Sequence, residues 1–190
     1  MCVLGDGLAG GFGDARHLGW VGRVLARTAL PRPLFTACLP VLGETTTSLS
    51  ARWREETNRR WDPDEPRHLV IAPGAADVNA GLSIARSRLN LANVLDEAAA
   101  DGIATYVVGP PPSLQVERRA AGQLSRAFSD VCERRGVTFV DTFDPLQSNS
   151  QWLTDLGASD GHHPTQVGYG LMAWLVLHTG WYDWLGATEA

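Results

Sequence analysis

The chain contains no lysine: all 16 of its basic residues are arginine, a bias of coding more than of chemistry. Cysteine is scarce. Cys2, Cys38 and Cys132 are odd in number and show no C-x-x-C spacing, so neither a disulfide framework nor a cysteine metal site is expected, and a reducing cytoplasm suits them. No stretch approaches the roughly 20 apolar residues of a membrane-spanning helix. The first residues run from Met1 into glycines without the basic segment or long apolar core of a secretory leader, which adds to the expectation of a cytoplasmic protein. Excess positive charge is missing too: the net charge of -5 gives no basis for a nucleic acid or an anionic membrane as partner.

What is present is an ordinary globular composition, 44% hydrophobic over 190 residues, which fits one domain spanning residues 1–190. Short apolar runs alternate with longer segments of helical period, the pattern of βα units feeding a parallel sheet. Strands are expected at Cys2–Leu4, Leu34–Leu39, His68–Ala72, Thr105–Val108 and Thr138–Val140. Helices are expected near Leu18–Thr28, Ser48–Trp61, Ser83–Asp101, Leu114–Arg135 and Thr165–His178, with Ser48 and Ser83 as N-caps and Gly102 and Gly136 as stops. The Arg52–Pro66 stretch reads as a charged surface connection. Right-handed crossovers then give a three-layer α/β/α sandwich, flavodoxin-like, with a five-stranded parallel sheet in the order 2-1-3-4-5.

In such sheets ligands bind beyond the carboxyl ends of the strands. The loops found there carry Gly5-Asp6-Gly7-Leu8 with further glycines, Gly43 before Glu44, Gly74-Ala75-Ala76-Asp77, Val107-Val108-Gly109-Pro110-Pro111, and Asp160-Gly161-His162-His163-Pro164. In this order they resemble the sequence blocks of the SGNH (GDSL-type) hydrolases, from residue 3 to about residue 176. That resemblance implies the SGNH fold, ester or acyl hydrolysis of a small-molecule substrate and no cofactor. It also implies that His163 is the general base and Asp160 the carboxylate that orients it. The spacing has its own mechanical sense, since a carboxylate three residues ahead on one loop can bond one imidazole nitrogen and leave the other facing the cleft as an acceptor.

Two signature positions depart from the family pattern. Gly7 stands where the family has its nucleophilic serine, and Ala76 where it has the asparagine that donates to the oxyanion. Losing a triad serine costs on the order of a millionfold in kcat, and an oxyanion donor roughly a hundred- to thousandfold. Backbone N–H groups at Gly7 and Gly43 could still serve an oxyanion. Three readings stay open: the Asp160–His163 dyad activates a water; another group such as Asp6, Ser48 or Asp77 supplies the chemistry; or the chain is an inactive binder of an acyl or sugar ligand. Asp6, Asp77 and Arg86 are candidate substrate contacts, although Asp77 is equally suited to orienting loops and Arg86 to a solvated helix face.

Other readings are weaker. Gly5-Asp6-Gly7-Leu8-Ala9-Gly10 also satisfies G-x-G-x-x-G, but the second strand ends in Leu39-Pro40 without an acidic residue and Asp6 would face a pyrophosphate. His162 and His163 with Asp160 lack a further cluster of ligands, so no metal site is expected. His17, His68 and His178 read as surface or packing residues. Trp174, Trp181 and Trp184 read as cover for a sheet edge, and the Trp181–Trp184 segment, taken as partly exposed, leaves room for a homodimer.

Overall fold

The computed structural model describes residues 1–62 and 64–190; Pro63, inside the expected Arg52–Pro66 connection, lies outside them. Its main sheet consists of β1 (Cys2–Gly5), β3 (Ala37–Pro40), β4 (His68–Ala72), β5 (Ala104–Val108) and β6 (Thr138–Val140). The spatial order is β3-β1-β4-β5-β6 and every pairing is parallel, which is the expected 2-1-3-4-5 arrangement.

Successive side chains of a strand point to opposite faces, and the central strands β1 and β4 are buried on both, whereas the edge strand β3 leaves Cys38 and Pro40 exposed. Val3, Val70, Tyr106, Val108 and Val140 enter one apolar cluster, against α1 (Gly19–Leu25), α8 (Gln166–Leu177) and α9 (Trp181–Leu185). Cys2, Leu4, Leu69, Ile71 and Val107 enter the other, against α2 (Thr46–Asn58), α4 (Ile84–Ala100) and α5 (Arg118–Glu133). The strands therefore read as unbroken apolar runs, and the helices form the two outer layers.

Several boundaries differ from expectation. The second main strand begins at Ala37, not Leu34: Phe35 is left 66% exposed, and Ala37 N–H is the first to reach the start of β1, at the Met1 carbonyl. The first helix ends at Leu25, and Thr28–Ala29 forms β2, which pairs antiparallel with β7 (Thr188–Glu189). Thr45, not Ser48, caps α2, its side chain accepting the Ser48 N–H, whereas Ser83 caps α4 as expected. The long loop after β6 contains α6 (Phe143–Leu146) and α7 (Ser150–Gly157), and Ala76–Asn79 makes the single turn α3. Trp181 is buried, edge-on to Tyr106, so the expected exposed Trp181–Trp184 segment is largely packed inward; Trp174, at 57%, is the exposed tryptophan of α8. Among the described residues no helix is long and apolar enough to cross a membrane.

Candidate active site

The chain passes to one side from β1 to β3 and then returns to the other side at β4, so the carboxyl ends of β1 and β4 flank the point where the strand order reverses. The first loop leaves β1 there. Asp6, only 2% exposed, folds back so that Oδ1 accepts the Leu8 N–H at 3.0 Å. Its Oδ2 lies over Gly74 at the end of β4, where an added Cβ would stand 1.8 Å away; the close approach explains glycine at 74. Asp14 closes the same loop onto α1: Oδ1 accepts the Arg16 N–H, and Oδ2 accepts from Leu18, Gly19 and the Arg23 guanidinium. The Arg23 bond is the main cause that holds the Asp14 carboxyl down at about 2, against burial, which would raise it.

The histidine loop arrives from the other end of the chain. α1 and α8 pack side by side, and Tyr169 of α8 donates its hydroxyl to the Phe12 carbonyl at 2.6 Å. Asp155 of α7 receives Thr165 N–H at 2.7 Å, Thr165 Oγ1 at 2.5 Å and Gly168 N–H at 3.0 Å. One buried carboxylate thus caps the helix that starts immediately after His163-Pro164 and fixes where that loop ends.

Within the loop, Asp160 Oδ1 accepts the N–H groups of His162 and His163 at 2.8 and 2.7 Å, and Oδ2 meets His163 Nδ1 at 2.7 Å. Burial alone would raise this carboxyl, but the His163 ring and the two backbone donors outweigh it and hold it at about 2. An ionised Asp160 keeps the proton on Nδ1, so Nε2 carries the free lone pair. That nitrogen points at position 7: a Cβ built on Gly7 would lie 2.5 Å from His163 Nε2 and 2.7 Å from Leu42 Cδ2. The imidazole and Leu42 have closed over the space that a side chain at 7 would use. Phe12 tilts against the His163 ring with centroids 4.6 Å apart, and Phe12, Leu42 and Leu114 give the rim an exposed apolar character.

The remaining candidates divide. Gly43 sits at φ +65° with open space around it. Among the described residues neither the Gly7 nor the Gly43 N–H donates to another group of the chain. Ala76 opens α3 and brings no donor side chain. Asp77 has the bonds of a loop-orienting residue: its two oxygens accept from Thr46, the N–H at 2.7 Å and Oγ1 at 2.6 Å, and hold the loop before α2. Asn90 supports the same loop through Thr46 and Thr47. Arg86 is exposed in the first turn of α4, with no side-chain hydrogen bond among the described residues. Ser48 bonds Glu44, itself clamped by Arg52. No cluster of His, Cys, Asp and Glu suited to a metal ion occurs among the described residues.

Sequence reasoning overlooked Asp14, Asp155 and Ser113. Neither Asp155 nor Ser113 had a signal in the sequence: Thr165 is itself a capping residue type, and only the fold shows Asp155 taking that role and Ser113 Oγ 3.0 Å from His162 Nδ1.

The model of the GDSL-like lipase/acylhydrolase family matches residues 3–171. Among curated proteins nothing matches the chain. Of solved structures, a lipase/acylhydrolase from Enterococcus faecalis superposes with a TM-score of 0.78 at 20% identity, over 100% of this chain and 97% of that one. A psychrotrophic esterase from Pseudoalteromonas sp. gives 0.74 at 20%, covering 97% of each chain. An acetylxylan esterase from Geobacillus stearothermophilus gives 0.73 at 21%, over 96% of this chain and 94% of that one. At these identities the structures speak for the SGNH-hydrolase fold, while the family model, covering most of the sequence, places the chain itself: it belongs to the GDSL-like lipase/acylhydrolase family.

Proposed function

We propose that the chain is an ester or acyl hydrolase in which His163, oriented by Asp160, acts as general base on a water that attacks the carbonyl directly, with no acyl-enzyme. The observation that carries this reading is the aim of His163 Nε2 at position 7 while Nδ1 is tied to an ionised carboxylate. The free N–H groups of Gly7 and Gly43 suit the developing oxyanion. The rim of Phe12, Leu42 and Leu114 favours a small molecule with an apolar acyl or aryl part. A water needs slightly more room than the Cβ point above Gly7 offers, and Leu42, 63% exposed, is the side chain free to give it. A cytoplasmic location accords with three free thiols, and the Trp174 face of α8 is the aromatic surface left for a homodimer.

One observation favours a second reading, an inactive binder of an acyl or carbohydrate ligand: the imidazole and Leu42 occupy the nucleophile's place. Hydrolysis of p-nitrophenyl acetate and butyrate by the wild type and His163→Ala separates the two. A general base is worth roughly 10²–10⁴-fold, so the substitution is expected to remove that much of the rate above buffer. Equal rates for both proteins would take the dyad out of the mechanism, and a wild type no faster than buffer would favour the binder.

A further inference from the structure

The proposed reaction gives His162 no task, yet its surroundings are those of a proton carrier. Its ring meets that of His163 edge to face, with centroids 4.6 Å apart. Nδ1 lies 3.0 Å from Ser113 Oγ and Nε2 lies 3.9 Å from Asp6 Oδ2, with 18% of the side chain exposed. At 3.9 Å no direct hydrogen bond joins Nε2 to the carboxylate.

Ser113 makes both protonation states affordable. Its oxygen accepts the Gln115 N–H at 3.0 Å, and its one proton has two acceptors in reach, His162 Nδ1 and the Gly161 carbonyl at 3.2 Å. Turned toward Nδ1, the hydroxyl satisfies a neutral imidazole whose Nε2–H faces Asp6. Turned toward Gly161, it leaves its oxygen to accept Nδ1–H of an imidazolium. Only a hydroxyl rotates between the two, and no polar atom is stranded in either. The groups facing the ring are Asp6 from the β1 loop, Ser113 from the loop after β5, and His163, backed by Asp160, from its own loop.

We propose that His162 is a second catalytic residue, the general acid that protonates the departing alcohol while His163 deprotonates the attacking water; this rests on the hydrolase reading above. The water oxygen bonds to the carbonyl carbon as one of its protons passes to His163 Nε2. The bond from that carbon to the ester oxygen breaks, and the alkoxide takes the proton from Nε2 of the His162 imidazolium, which keeps its Nδ1–H on Ser113 Oγ while that hydroxyl stays turned toward Gly161. Transfer of a proton from His163 to His162, directly across the pair or through solvent, restores both rings, so that ester and water give acid and alcohol.

A general acid matters only when the leaving group needs a proton. p-Nitrophenolate departs without one; ethoxide does not. His162→Gln is therefore expected to slow ethyl acetate hydrolysis, followed by pH-stat, by about 10²–10⁴-fold while leaving p-nitrophenyl acetate within about threefold. Ser113→Ala, a smaller change, is expected to shift the ratio of the two rates in the same direction, and it decides the matter if His162→Gln fails to fold. An unchanged ratio in an active enzyme overturns the assignment of His162 alone, as does an equal loss on both esters. A wild type inert toward both overturns the hydrolase reading and this assignment with it.

Discussion

Putting a side chain back on position 7 tests the site most directly. Gly7 is not among the residues with positive φ, so its backbone accepts serine and only space is at issue. The new Cβ would stand 2.5 Å from His163 Nε2 against an ordinary contact of 3.4 Å or more, so the ring must retreat by about 0.9 Å. Leu42, 2.7 Å away, is a mobile side-chain end, but His163 is tethered to Asp160 at 2.7 Å, and that bond must bend or the carboxylate follow. Overpacking of this kind costs ~1–3 kcal/mol; with both neighbours at side-chain ends the lower part, about 1–2 kcal/mol, is expected. For a chain of this length that lowers Tm by roughly 2–8 °C. The retreat leaves Nε2 within hydrogen-bond reach of the new hydroxyl, so Gly7→Ser should acquire one equivalent of label from a fluorophosphonate, read by intact mass, while the wild type takes none. Adding Ala76→Asn should raise its ester turnover by roughly 10²–10³-fold. A Gly7→Ser protein with unchanged Tm and no label would refute the reasoning, because it would mean that the imidazole does not stand over residue 7.

Two further outcomes concern the supports of the site. Asp14 has a folded pKa of about 2 against 3.8 unperturbed, so its contribution, about 2 kcal/mol at 1.36 kcal/mol per unit, is present above pH 4 and disappears as pH falls toward 2. Asp14→Asn should lose about that much in urea melts at pH 7 and show a shallower decline between pH 4 and 2; identical pH profiles would remove the Arg23 pair as a source of stability. Asp155→Ala strands the N–H groups of Thr165 and Gly168 and should cost about 2 kcal/mol, with a fall in esterase rate larger than its loss of folded protein explains. A normal rate at reduced Tm would show that the start of α8 does not position His163.

The sheet was legible because strands buried on both faces leave unbroken apolar runs, of which His68–Ala72 is typical. Capping and stopping residues were legible where the chemistry is local: Ser83 accepts the Arg86 N–H, and Gly102 and Gly136 adopt φ +68° and +63°. What escaped depends on distant partners. The pairing of β2 with β7 joins Thr28 to Glu189, and nothing within either two-residue segment announces it. The Trp181 segment looked exposed because its cover, Tyr106 and Thr28 Oγ1, comes from elsewhere in the chain. α7 carried its cap, Asn149 accepting from Trp152, but its eight residues are too few to show a period. In the site the same division holds: the Asp160–His163 bond is local and follows from spacing, whereas His162 meets Ser113 across 49 residues and Asp77 meets Thr46 across 31.

Glycine at position 7 and the Asp160–His163 pair bear on one another. Asp160 would be kept by the turn alone, since its Oδ1 satisfies two backbone N–H groups whatever stands at 163. The turn does not require Oδ2 to hold Nδ1, nor Nε2 to aim at position 7 with Phe12 packed against the ring. Nor does it require histidine at 162, where the side chain contacts a hydroxyl able to serve either protonation state and a buried carboxylate beside residue 7. A decayed site loses orientation along with its nucleophile, because nothing then opposes substitutions that loosen the imidazole. Here both rings keep their partners and His163 Nε2 still faces position 7, the orientation that the proposed water-using hydrolase requires.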